Sequence, residues 1–197
     1  ILINKEHSNE VLERNIVTFF KALEVEGLGP GNIHRIIEAG YTSVPAILSM
    51  TITDFLKVDG FKKKLAEKIY NNIQIQIQKA SLVDLMVGSN IWGRNFGAKR
   101  FEIIINALPD ILKSVESNEI KMKKLLKVDG IAQKTASQFI DYIPNFLKFL
   151  KEANLENKLN SIETSQEDIQ HHELNNKKIV TTGFRFDKQM IEKLSKI

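Results

Sequence analysis

The sequence predicts an all-α fold, a tandem bundle of helix-hairpin-helix units, followed by a linker and then the first strand and helix of a truncated α/β domain. Three observations carry this expectation. Leu56-Lys57-Val58-Asp59-Gly60 returns letter for letter as Leu126-Lys127-Val128-Asp129-Gly130, an offset of 126 − 56 = 70 residues, and the agreement extends to Lys64 and Lys134, Ala66 and Ala136, and Ile73 and Ile143. A repeat of this kind marks a duplicated structural unit. Up to residue 155 the apolar residues recur at helical spacing and are interrupted by glycine-bearing turns. From residue 178 the chain turns β-branched in Lys178-Ile179-Val180-Thr181-Thr182-Gly183-Phe184. The expected domains are residues 1–155, helical; 156–176, linker; and 177–197, the start of the second domain.

Residues 11–25 place Ile16, Val17, Phe20 and Leu23 at helical spacing with Phe19 widening the stripe, which predicts the first core helix. Gly27-Leu28-Gly29-Pro30-Gly31 breaks it, and Ile33, Ile36 and Ile37 restart a helix that ends at Gly40. Val44 to Leu56 reads as two short helices, the second capped by Thr51 or Thr53. A hairpin over 58–62 then opens a helix from about Lys64 to Gln78 that buries Leu65, Ile69, Ile73 and Ile77. A third unit starts with Leu82, Leu85 and Met86, turns through 88–97, and continues with Phe101, Ile104, Ile105 and Leu108 before Pro109. The fourth is the second Leu-Lys-Val-Asp-Gly copy, with Phe139, Ile140 and Ile143 on its helix, Pro144 closing it, and one further short helix over 145–155. The hairpins thus alternate in type, A, B, A, B. Over 156–176 Asn, Ser, Gln and acids dominate, as in a linker of low order. Met190, Ile191 and Leu194 give the last helix, but one strand and eleven helical residues cannot bury a core.

With 43% hydrophobic and 26% charged residues the composition is that of an ordinary globular protein. The absence of cysteine excludes disulfides and cysteine-ligated metal sites within these residues and fits an intracellular compartment. No apolar run approaches the ~20 residues that a membrane helix needs. The first residue is Ile1 with no leader signature behind it, so the chain reads as a piece of a longer protein. A net charge of +4 is modest, but the basic residues cluster: Lys57, Lys62, Lys63, Lys64 and Lys68; Arg94, Lys99 and Arg100; Lys121, Lys123, Lys124, Lys127 and Lys134. A single lysine run is usually a solvated helix face. Three runs, each on a predicted hairpin, point to a polyanion instead.

A hairpin between two helices offers consecutive backbone N–H groups at the N-terminus of the second helix, where the helix dipole also favours an anion. Glycine lets a phosphate approach, and a Lys or Arg in the next turn adds an ionic contact that reads no base. The DNA-binding candidates are Gly27, Gly29 and Gly31 in the first hairpin; Gly60, Lys62, Lys63 and Lys64 in the second; Gly93, Arg94, Asn95, Gly97, Lys99 and Arg100 in the third; Gly130 and Lys134 in the fourth. The second and fourth, which lack the further glycines, are the more structural pair. Lys57-Val58-Asp59-Gly60 also spells Lys-x-Asp-Gly, a nucleotidyl-transferase nucleophile signature, but the tetrapeptide occurs twice inside a helical repeat with no sheet-borne pocket around it, which argues against that role. Trp92 reads as a core plug before a groove wedge, Asp59 and Asp129 as turn caps before metal ligands, and His171-His172 lacks ligand partners. No catalytic centre and no metal site emerge.

With these hairpins in place, the chain resembles the C-terminal part of bacterial-type NAD-dependent DNA ligases. The resemblance rests on Ile16 to Gly31 and Leu82 to Gly97, on the fourth hairpin and its helix, and on Thr182-Gly183-Phe184 within Lys178 to Phe184, which resembles the opening strand of a BRCT domain. It implies a parent enzyme that seals nicks in double-stranded DNA during replication and repair, with NAD and Mg²⁺ used by upstream domains and no cofactor held by this chain. It also implies possible phosphate contacts at Thr182 and Gly183, with a BRCT partner it does not name. Two features depart from the family pattern: residues 1–26 contain no cysteine where the family has a zinc module, and the loop 93–97 is one residue tighter than usual. The alternatives are a helix-hairpin-helix module of a repair nuclease or junction-processing factor, and a protein-interaction scaffold whose basic faces meet an acidic partner.

Overall fold

The structure, a computed structural model, describes residues 2–93 and 95–160, with side chains described from residue 10 onward. Arg94, Thr182, Gly183, most of the expected linker and the whole predicted strand-helix start of a BRCT domain lie outside the described residues. Among the described residues the fold is all-helical, and no helix is long and apolar enough to cross a membrane.

Helix α1, Leu2–Ala22, buries Ile16, Phe19 and Phe20, and the chain leaves it through Glu24 at φ 56°. It begins well before the predicted residue 11. Helix α2, Pro30–Glu38, follows the first hairpin and packs Ile33 and Ile36 inward. Two five-residue helices come next, α3, Val44–Leu48, and α4, Ile52–Leu56, each entered through a hydroxyl cap. Ser43 Oγ accepts from Ala46 N at 3.2 Å, and Thr51 forms a reciprocal capping box with Asp54. Helix α5, Lys63–Lys79, buries Ala66, Ile69 and Ile73. The stripe is rotated from the predicted one, with Ala66 buried and Leu65 and Ile77 only half-buried at its margins.

Helix α6, Leu82–Ser89, opens on a second capping box, Ser81 with Asp84, and packs on α1. Gly88 belongs to this helix and not to the predicted turn. A Cβ there would stand 3.2 Å from Phe19 Cδ2, so the glycine sets how closely α6 and α1 cross. The helix ends on Asn90 at φ 51°, a left-handed cap. Helix α7, Ala98–Ala107, and α8, Asn118–Leu125, lead to α9, Gln133–Glu152. Pro144 does not close a helix as predicted. It sits inside α9, which runs through it because Ile143, Phe146 and Leu150 on either side are all buried. Trp92 is the plug of this half: 1% exposed, it stacks on Phe139 at 5.6 Å between centroids and donates Nε1–H to Phe139 O at 3.0 Å. Phe149 of α9 meets Phe19 of α1 edge-on at 5.7 Å, tying the last helix to the first.

Helical structure continues past residue 155, where the linker was expected to begin. Glu156–Leu159 forms a single 3₁₀ turn, and Lys158 Nζ donates to Gln78 O at 2.8 Å and Ala80 O at 2.7 Å, capping the C-terminus of α5 with a cation.

Candidate nucleic-acid interface

The hairpins share one backbone design. Gly27, Gly60, Gly93 and Gly130 take φ of 86°, 74°, 76° and 75°. After each comes a buried apolar anchor, Leu28, Phe61, Phe96 and Ile131, and then an extended N-cap, Gly29, Lys62, Gly97 and Ala132. The positive-φ glycine is common to all four, while among the described residues the second and fourth turns share a bond that the others lack, Phe61 N–H to Val58 O at 3.1 Å and Ile131 N–H to Val128 O at 3.2 Å, and the first and third have glycine at the N-cap. The third loop differs from the others by carrying Arg94-Asn95 between its turn glycine and its anchor.

Helix starts in this chain fall into two kinds. The starts of α3, α4, α6 and α8 are closed by Ser43, Thr51, Ser81 and Ser117. The starts of α2, α5, α7 and α9, the second helices of the hairpins, have no side-chain cap at all. The N–H groups of Lys63 and Lys64, Ala98 and Lys99, and Gln133 and Lys134 consequently meet no backbone acceptor among the described residues. In the first hairpin Pro30 at the helix start removes one donor, and the Asn32 side chain steadies the turn by donating to Gly27 O at 2.8 Å.

The glycines then separate by cause. Gly27 is fixed by its positive φ and by Ile69 Cγ1, 3.0 Å from where its Cβ would stand; Gly60, Gly93 and Gly130 are fixed by positive φ. Gly29 and Gly97, at φ −74° and −96°, need no glycine conformation, and neither they nor Gly31 have any heavy atom within 4 Å of a built Cβ. The fold supplies no reason for these three to lack a side chain.

The cations are arranged unevenly. Lys62, Lys63 and Lys64 are exposed, and among the described residues Glu67, 3.9 Å from Lys63, is the one carboxylate within ion-pair distance of them. Lys99 and Lys134 are exposed and have no carboxylate within ion-pair distance among the described residues. Arg100 is held in the third hairpin: its guanidinium donates to Asn95 O and lies over the Phe96 ring, 5.6 Å from the centroid. Lys68 pairs with Glu26 at 3.0 Å. The third basic run is weaker than its sequence implies, since Lys121 is buried and Lys124 pairs with Glu116 at 2.6 Å. That lysine, with Ser114, holds the Glu116 carboxyl below the usual range. Asp59 and Asp129 accept no hydrogen bond among the described residues, so the expected turn caps do not form there.

Lys57 sits at the end of α4 and donates to Asp54 Oδ1 at 3.0 Å, a bond that raises its pKa. A nucleophilic lysine needs the opposite shift. Among the described residues no group of three acidic or imidazole side chains gathers where it could hold a metal ion. One cationic group had no signal in the sequence: Arg35 of α2 lies over the second hairpin, its Nη1 3.2 Å from where a Gly60 Cβ would stand. Its contact is made across two units, which local spacing does not show.

Residues 19–74 match the family described as the SAM-like helix-hairpin-helix tandem. The chain is 36% identical over 189 residues to a DNA ligase of Acanthamoeba polyphaga mimivirus, covering 94% of this chain and 29% of that protein. It is 26% identical over 158 residues to a protein of Invertebrate iridescent virus 6 provisionally named DNA ligase 205R, covering 80% of this chain and 24% of the relative. No solved structure matches. The chain spans less than a third of the length of these curated relatives, so it is similar over most of its extent to one segment of each of these viral proteins.

Proposed function

We propose that residues 10–155 form a non-catalytic clamp that grips double-stranded DNA without reading its sequence, as part of a ligase that seals nicks. The observation that carries this reading is the pairing of open helix starts with Gly29, Gly31 and Gly97, whose missing side chains the fold does not require. Open N–H groups bind phosphate oxygens, the glycines admit the phosphate, and Lys62, Lys63, Lys64, Arg94, Lys99, Arg100 and Lys134 add ionic contacts along the backbone. Gly60, Gly93, Gly130 and Gly27 shape the turns that aim these groups, and Asn95 fixes Arg100 through its carbonyl. For the parent protein the reading includes NAD-dependent adenylation with Mg²⁺ in other domains, a role in DNA replication and repair, and a BRCT domain beginning near residue 177 with Thr182 and Gly183 available to phosphate. The similarity to viral DNA ligases supports the ligase setting.

The test is fluorescence anisotropy of the chain with labelled nicked and intact duplexes of unrelated sequence over a range of salt. The expected result is similar affinity for each sequence, with log K falling linearly against log[salt] at about 0.9 per neutralised phosphate. An absence of salt-sensitive binding at low ionic strength contradicts the proposal.

A further inference from the structure

We infer that Arg35 is a DNA-phosphate ligand of the second hairpin, although it lies on the helix of the first, and that the two identical Leu-Lys-Val-Asp-Gly hairpins are therefore unequal in grip. The inference rests on the clamp reading and adds a residue that its motifs do not contain. The Arg35 side chain is exposed and lies against the Gly60 turn, with Nη1, Cζ and Nε at 3.2, 3.5 and 3.9 Å from the place of a Gly60 Cβ. No carboxylate among the described residues pairs with it. Glu13 and Glu38 lie instead 3.2 and 3.5 Å from the two ring nitrogens of His34.

The result is a guanidinium with donors to spare, beside the chain's densest run of cations, Lys62, Lys63 and Lys64, and beside the open N–H groups of Lys63 and Lys64. Such a concentration of charge repels itself unless an anion joins it. A phosphate diester offers two oxygens, which suit the planar fork of an arginine on one side and backbone amides on the other.

The duplicated half supplies the contrast. Counting from the N-caps Gly29 and Gly97, Ile33 corresponds to Phe101 and Ile36 to Ile104, all buried, so the registers agree. Arg35, six residues after Gly29, then corresponds to Ile103. Ile103 is 37% exposed and lines an apolar groove with Val128 and Asp129 of the fourth hairpin. Gly130 has no heavy atom within 4 Å of a built Cβ. The same five-residue turn is thus overlaid by a cation in one copy and flanked by an isoleucine in the other.

The experiment uses the full 197-residue chain, a labelled duplex and a salt series. Arg35→Gln is expected to weaken binding about tenfold, as for a lost charged hydrogen bond, and to lower the salt slope by about 0.9. Arg35→Lys keeps the slope and loses part of the affinity, since it keeps charge without the fork. Ile103→Gln, the same change at the register twin, leaves both quantities alone. The inference is overturned if Arg35→Gln retains wild-type affinity and slope, if it weakens binding with the slope unchanged, or if Ile103→Gln weakens binding equally. Failure of the wild-type chain to bind duplex overturns the clamp reading together with this one, whereas binding by wild type that Arg35→Gln does not touch overturns this one alone.

Discussion

Residue by residue, glycine carries most of the information, and it does so for three separable reasons. Gly27 is held by a positive φ and by Ile69, so Gly27→Ala is expected to lower stability by about 1–2 kcal/mol in denaturant unfolding. Gly88 is held by packing alone. Gly88→Val would push on Phe19 across the α1–α6 crossing, and a loss of about 1–3 kcal/mol by the same measurement is expected. Gly29, Gly31 and Gly97 are held by neither, and the clamp proposal uses them as the places where a phosphate approaches. The first reason was legible in the sequence, because a turn that needs positive φ announces itself as a glycine between helices. The second was not: Gly88 lies close to Asn90, Gly93 and Gly97 and reads as part of their turn. Arg35 was equally silent, since its value comes from an element in another unit. Lys121 misled in the opposite direction, as nothing in its neighbours shows that its stem is packed away.

At the scale of elements, helix entry is the organising variable. Hydroxyl caps close the starts of α3, α4, α6 and α8, and Thr51→Ala is expected to remove about 1 kcal/mol of stability by taking away half of a capping box. The same box sets a pH dependence. The Thr51 hydroxyl and backbone N–H, followed by Lys57, hold the Asp54 carboxyl far below the usual carboxylate range. A depressed folded-state pKa contributes stability that is fully present above the unfolded value near 4 and is lost as pH falls below it. Thermal unfolding followed between pH 5 and 2 should therefore show a shallower acid limb in Asp54→Asn than in wild type; an unchanged limb would remove Asp54 from the account. The Thr51 cap of α4 was legible because Thr followed three residues later by Asp is a local pattern, whereas the caps at Ser43 and Ser117 lack that acid and give no such signal. The continuous α9 was not, because a proline inside a helix ends it unless burial on both sides outweighs the lost hydrogen bond, and burial is a tertiary fact.

For the molecule as a whole, the duplication that the sequence displayed at an offset of 70 residues is real in the backbone and incomplete in the chemistry. The positive-φ glycine recurs in every turn, while the N-cap residue, the extra Arg94-Asn95 and the contrast of Arg35 with Ile103 distinguish them. Charge reduction should report this unevenness: replacing Arg94, Lys99 and Arg100 together by Ala is expected to cause a large loss of duplex affinity, and unchanged binding would favour an interaction scaffold over a clamp. The central claim is that the second helices of the hairpins are left uncapped because a phosphate caps them. The most direct test is the double change Gly29→Ser and Gly97→Ser, which installs at α2 and α7 the cap that this chain uses at its other helix starts. Stability measured by denaturant unfolding should rise, by about a few tenths of a kcal/mol per site, while duplex affinity measured by anisotropy falls at least tenfold, because hydroxyl and phosphate compete for the same N–H groups. A variant that gains stability and binds DNA as tightly as wild type would contradict the account.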